Sequence, residues 1–180
     1  MTTALLMIDI QNDYFPNGKM ELTSPDAAAK NAAKLLLHFR EIGAPIFHVK
    51  HITKDDVASF FHPETKGVEI HESVRPLDEE PVIIKHMPNS FFNTNLQEEL
   101  QKEGVTELVV CGMMSHMCID STVRAAVEYG YSCQVIEDAC ATTSLEIGDK
   151  VIPAEQIHYA FMAALNGAFA TVKETSEFLK

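Results

Sequence analysis

Cys118 stands in the setting that most invites chemistry. It follows an apolar, β-branched run (Leu108, Val109, Val110) that reads as a buried strand, a break at Gly112, and Ser115-His116-Met117-Cys118, which opens a helix. Ser115 reads as the N-cap, with Cys118 three residues on, where a capping box would place Glu. A thiol in the first turn of a helix meets the positive end of the macrodipole and free backbone N–H groups, which favour the thiolate. Strand, sharp turn, nucleophile, helix is also the order that lifts a side chain above the carboxyl edge of a parallel sheet. Most lone cysteines are small buried hydrophobes, so it is the position in the turn that argues for a nucleophile. Asp9 and Lys85 could complete such a site. A carboxylate beside a thiol can take its proton, and an ammonium beside both can hold the thiolate and steady an oxyanion. Taken singly, an Asp and a Lys at strand ends are more often solvated charges, so the elements must bring them together.

Those elements alternate. Ala4 to Ile8 is a first strand ending in Asp9, followed by a polar loop through Gly18. Ser24-Pro25-Asp26 starts a helix with a cap and Pro at its first position. Ala28, Ala32, Leu35, Leu36 and Phe39 carry its apolar face up to Gly43. Pro45 to Val49 is a second strand, and Val82 to Ile84 a third, ending in Lys85. The stretch between them, Ile52 to Glu80, holds Pro63, Gly67 and Pro76 with little periodicity, and reads as a binding loop. Asn93 to Lys102 is a helix capped by Asn93 or Thr94. The central strand and the Cys118 helix follow, closed by Gly130. Cys133 to Ile136 is a fifth strand, Pro153 to Leu165 a helix, Phe169 to Val172 a last strand, and Ser176 to Leu179 a helical turn. Alternating strands and helices predict an α/β, Rossmann-like three-layer α/β/α sandwich, with a mostly parallel six-stranded sheet. Asp9, Lys85 and Cys118 then share its carboxyl edge, where ligands bind.

Composition narrows the classes. A chain of 180 residues fits one domain over its whole length. With 46% hydrophobic and 22% charged residues it is ordinary for a globular protein. A net charge of −12 argues against nucleic acid or an anionic membrane surface as partner. No apolar run is long enough to span a membrane, and no basic stretch opens a signal peptide. Four unpaired-looking cysteines (Cys111, Cys118, Cys133, Cys140) fit reduced thiols in a cytoplasm.

Along LLMIDIQNDYF, VIIKHMPNSFFNT, VVCGMMSHMCIDSTVRAA, VIEDACATT and IHYAFMAALNGAFATV the chain resembles the isochorismatase-like cysteine hydrolases, the superfamily that also holds nicotinamidases and N-carbamoyl amidases. The resemblance covers nearly the whole chain. It implies a catalytic triad carried onto Asp9, Lys85 and Cys118, and a non-proline cis peptide at Met113–Met114. It also implies an oxyanion hole made by the backbone N–H groups of Met114 and Cys118. Nicotinamidases carry a metal site on a D-x-H pattern after the second strand. Here that stretch is His48-Val49-Lys50-His51-Ile52-Thr53. Residues three apart on a strand face opposite sides, and Lys50 adds an ammonium. His48 and His51 therefore read as strand-end residues without a ligand role, in a member that uses no metal and no cofactor.

The resulting expectation is a cysteine hydrolase that cleaves a C–N bond of a small amide, imide or carbamoyl substrate through a thioester. Gln11, Tyr14, Phe15, Phe91 and His116 are candidates for the substrate pocket; the aromatics could equally be core, and His116 either touches substrate or is a solvated first-turn residue. Two readings stand beside this one: an idle member serving as a thiol redox sensor or binding partner, and a vinyl-ether hydrolase of isochorismatase type. A papain-like pairing of Cys118 with His158 and Asn166 does not suit the alternating order. Zinc on Cys111, His116 and Cys118 lacks a second ligand pair. The resemblance and the Ala- and Met-rich run Tyr159 to Leu165 together predict a homodimer or homotetramer.

Overall fold

A computed structural model describes residues 2–54 and 58–180. The expected loop over 52–80 thus includes residues 55–57, which lie outside the described residues. In chain order the elements are β1 (Thr2–Ile8), α1 (Pro25–Glu41), β2 (Ile46–His51), β3 (Val82–Lys85), α2 (Leu96–Lys102), β4 (Val105–Met113) and α3 (Asp120–Glu128). There follow β5 (Ser132–Ala141), β6 (Leu145–Ile147), β7 (Lys150–Ile152), α4 (Ala154–Leu165), β8 (Thr171–Lys173) and α5 (Thr175–Phe178). Six strands form one sheet in the order β3-β2-β1-β4-β5-β8. Every neighbouring pair in it is parallel. The short β6–β7 hairpin stands apart from the sheet.

The central strands are apolar at successive positions because both faces of the sheet are covered. Leu5, Met7, Val109 and Cys111 bury against Ala32, Leu35 and Phe39 of α1. Ala4, Leu6, Ile8, Leu108 and Val110 bury on the other face with Leu96, Leu100, Val123 and Leu165 of α2, α3 and α4. Fully burying one Leu or Ile contributes roughly 1.5–3 kcal/mol, so these two clusters hold the three layers together. The strand order reverses between β1 and β4: from β1 the chain works outward to β2 and β3, and from β4 outward to β5 and β8. A crevice beyond the carboxyl ends of β1 and β4 is the geometric consequence. Gly112 belongs to this junction. Its φ is +130°, and a Cβ there would lie 2.0 Å from the Ile8 carbonyl oxygen. Only glycine lets β4 pass β1 so closely.

Several local expectations are corrected. Ser24 is left-handed (φ +54°) and makes no side-chain cap, leaving Pro25 to open α1. The helix expected from Asn93 begins at Leu96, because Asn93 is itself left-handed and Thr94 Oγ1 donates to the Ser90 carbonyl. Ser115 does not cap either. It lies inside a wide π turn, Ser115–Ile119, that precedes α3, in which the Ile119 N–H donates to the Met114 carbonyl. Its hydroxyl pairs with His158 Nδ1 at 2.8 Å. Strand β5 runs five residues past the expected Ile136, carried on by a register shift opposite Val110–Gly112. No helix among the described residues is long and apolar enough to cross a membrane.

Candidate active site

Asp9 follows β1 directly. Its N–H donates to the Val49 carbonyl at 3.0 Å, and its φ is +52°. A left-handed non-glycine residue costs roughly 1–2 kcal/mol, a strain that here turns the carboxylate into the buried crevice. Lys85 ends β3, two strands away, and Cys118 sits in the π turn after β4. All three are buried. Lys85 Nζ lies 2.7 Å from Asp9 Oδ2 and 3.2 Å from Cys118 Sγ. The Lys85–Asp9 contact is an ion pair by distance, yet neither carboxylate oxygen of Asp9 receives a well-aligned hydrogen bond.

Burial alone would lower the Lys85 pKa, but the Asp9 carboxylate outweighs it, with Cys118 adding as an acceptor, and the net shift is upward. The lysine is an ammonium. Burial pushes the Cys118 thiol up, Asp9 adds to that, and Lys85 only partly opposes it. The resting sulfur is therefore a thiol, and the expectation that a helix terminus favours the thiolate is overturned. A helix end contributes at most about 1–2 kcal/mol, which burial beside a carboxylate exceeds. A thiol in this state would need a base to react, and Asp9 is the neighbouring carboxylate with acceptor capacity to spare.

A fourth residue belongs to this cluster. His51 Nδ1 lies 2.9 Å from Lys85 Nζ, a contact that the expectation of a strand-end residue without a ligand role did not include. Burial lowers its pKa to about 4, helped by Lys85 and opposed by Asp9, so the ring is neutral and Nδ1 accepts from the ammonium. The signal was its place at the carboxyl end of β2, the same strand-end position that singles out Lys85 in β3. His48 goes elsewhere: its Nε2 pairs with Glu80 at 2.9 Å, while Lys50 pairs with Glu69. One donor atom each from Asp9, His51 and Cys118 lie within 4.8 Å of one another, a set that suits a zinc-like cation. Lys85 Nζ touches all three residues, however, and holds the central position itself.

The expected pocket residues divide. Tyr14 lies at the site: burial raises its pKa, and the charges of Cys118 and Asp9 add to that. Its ring meets Phe61 edge-on at 4.7 Å. Gln11 is not free to bind substrate. Its Nε2 donates to the carbonyls of His51 and Val68, both at 2.8 Å, and its Oε1 accepts from the His51 N–H. Phe15 stacks on His71, and Phe91 packs on Tyr129 and Tyr131; both are core. His116 Nδ1 pairs with Thr142 Oγ1 at 2.6 Å. His158 reaches the nucleophile turn through Ser115 rather than through Cys118. Asp13 and Phe61 escaped the sequence reading. Asp13 Oδ2 accepts from the Phe61 N–H at 2.7 Å, which fixes the aromatic side of the loop beside Tyr14.

The peptide bond Met113–Met114 is cis, as the resemblance implies. Among the described residues the Met114 N–H donates to no protein acceptor, while its carbonyl accepts from the N–H groups of Met117 and Ile119.

The isochorismatase domain matches residues 3–177. An isochorismatase family protein of Bacillus subtilis, YddQ, is 75% identical over 180 residues, covering 100% of both chains. Streptothricin hydrolase of Streptomyces noursei is 34% identical over 139 residues, 77% of this chain and 49% of that one. The crystal structure of an isochorismatase hydrolase from Oleispira antarctica superposes with a TM-score of 0.96 at 46% identity, covering 99% of this chain and 96% of that one. With a domain match and a whole-length relative of this kind, the chain belongs to the isochorismatase family of hydrolases.

Proposed function

We propose that this chain is a cysteine hydrolase that cleaves a C–N bond of a small amide, imide or carbamoyl substrate through a thioester, without a metal. The observation that carries this is the Lys85 ammonium in contact with both Asp9 and Cys118, beside an Asp9 carboxylate whose oxygens lack aligned donors. Asp9 takes the thiol proton as Sγ attacks the substrate carbonyl. The N–H groups of Met114 and Cys118 stabilise the tetrahedral oxyanion. As the intermediate collapses, Asp9 returns its proton to the departing nitrogen and a thioester remains. Water, losing a proton to Asp9, then attacks the thioester; the acid leaves, and the sulfur regains the proton. Lys85 offsets the negative charge through each step. Streptothricin hydrolase, a relative named for hydrolysis, supports this reaction class.

The test is a panel of small amides, imides and carbamoyl compounds, assayed for released ammonia or acid. Turnover that vanishes in C118A supports the reading. Turnover unchanged in C118A, or none across the panel, counts against it. The same proposal includes assembly into a dimer or tetramer, supported by exposed Ile147 and Val151 on the β6–β7 hairpin and exposed Tyr159 on α4. A monomer by light scattering would count against that part.

A further inference from the structure

We propose that His51 is a positioning residue: its ring accepts an N–H of Lys85 and so holds the ammonium between Asp9 and Cys118. This rests on the reading of Cys118 as the nucleophile. An ammonium has three donors and no acceptor, on a flexible stem that loses rotamer freedom when fixed. Buried, it needs partners on every side. It has hydrogen-bond acceptors in His51 Nδ1 at 2.9 Å and Cys118 Sγ at 3.2 Å, and an ion-pair partner without hydrogen-bond alignment in Asp9 Oδ2 at 2.7 Å. Of these the carboxylate attracts it most strongly. Without His51 the ammonium would settle onto Asp9, where it would blunt the base and leave the sulfur unsupported.

His51 is built to prevent this. The Gln11 side-chain amide grips its backbone on both sides, accepting from its N–H and donating to its carbonyl at 2.8 Å each. His51 also lies directly opposite Lys85 in the β2–β3 pairing, and its ring sits 5.8 Å from that of Phe61. The groups that bear on the ring are Lys85, Asp9 and His86, with Cys118 across the ammonium. A protonated ring would turn an N–H toward Lys85 and repel it. The neutral form is the working form, and the buried Gln11, which looked like a substrate contact, serves to aim it.

The experiment follows alkylation of Cys118 by iodoacetamide from pH 6 to 9, by peptide mapping, in the full-length protein and in H51L, H51F, H51N and K85M. Thermal melts of each confirm folding. Asn offers an acceptor close to the place of Nδ1, Phe keeps a ring without one, and Leu keeps neither. The expected result is a profile displaced upward by about one pH unit in H51L and H51F, hence alkylation slowed about tenfold. H51N should stay within about threefold of the parent, and K85M should be slower than any. H51F serves if H51L does not fold. H51L and H51F profiles that superpose on the parent, with K85M slowed, would overturn the role of His51 and leave the nucleophile reading standing. A K85M profile that also superposes would overturn both.

Discussion

Strand β2 sends one histidine into each of two charged clusters, and the clusters are opposite in design. His48 joins Glu80 and Arg40 where α1 ends and β3 begins. Burial would raise the Glu80 pKa, but hydrogen bonds from Arg40, the Leu77 N–H and His48 draw it down to about 2. Both of its oxygens are occupied, one by Arg40 Nε at 2.7 Å and the other by Arg40 Nη2, Leu77 N and His48 Nε2. At the other end of the strand, His51 joins Asp9, Lys85 and Cys118. There the carboxylate has an ammonium close by and no aligned hydrogen bond. A saturated carboxylate ties elements together. An unsaturated one, buried beside a thiol, keeps the capacity to take a proton, and an unsatisfied buried group in a native fold calls for such a reason.

The sharpest way to break this contrast is to neutralise the two carboxylates separately. D9N should cut hydrolysis by about a thousandfold, as loss of a general base does. E80Q should leave turnover close to that of the parent. Comparable losses from both, on the panel that reveals activity, would erase the distinction. K85M comes next, lowering turnover by about a hundredfold. With the ammonium gone, Asp9, His51 and Cys118 should take up about one zinc per chain, measured by elemental analysis after dialysis against zinc. A K85M protein that stays free of zinc would contradict the assignment of the central position to Lys85.

Stability reports on the other cluster. E80Q should cost about 2 kcal/mol in denaturant unfolding, the scale of a lost charge-assisted hydrogen bond. Glu80 titrates near 2 in the fold against an ordinary 4.5, so its contribution is complete above pH 4.5 and is lost as pH falls from there toward 2. The parent should therefore lose more stability than E80Q across that window, the smallest effect of the set. Parallel acid-unfolding curves would show that the Glu80 network does not tie these elements together.

Much of this was legible because burial on both faces writes apolar residues at successive positions. The strands ending before Asp9 and at Lys85 stand out, and the Gly112 break marks the turn that carries Cys118. His51 was legible as a strand-end residue, but its partner was not: pairing with β3 sets it opposite Lys85, a contact across 34 residues of sequence. Gln11 was misread because its partners lie 40 and 57 residues away. The state of Cys118 was misread because burial beside Asp9, a tertiary effect, outweighs its place in the first turn. The β6–β7 hairpin left a local signal, Gly148-Asp149 between Leu145-Glu146-Ile147 and Lys150-Val151-Ile152, of the kind that marks a two-residue turn.

The most direct measurement is intact-mass and peptide-level spectrometry of the protein quenched during turnover of the best substrate on the amide panel. The expected result is a mass increase equal to the substrate acyl group, located on the peptide that contains Cys118, removed by hydroxylamine and absent in C118A. Turnover with Cys118 unmodified in the wild type and activity retained in C118A would contradict the assignment of Cys118 as the nucleophile.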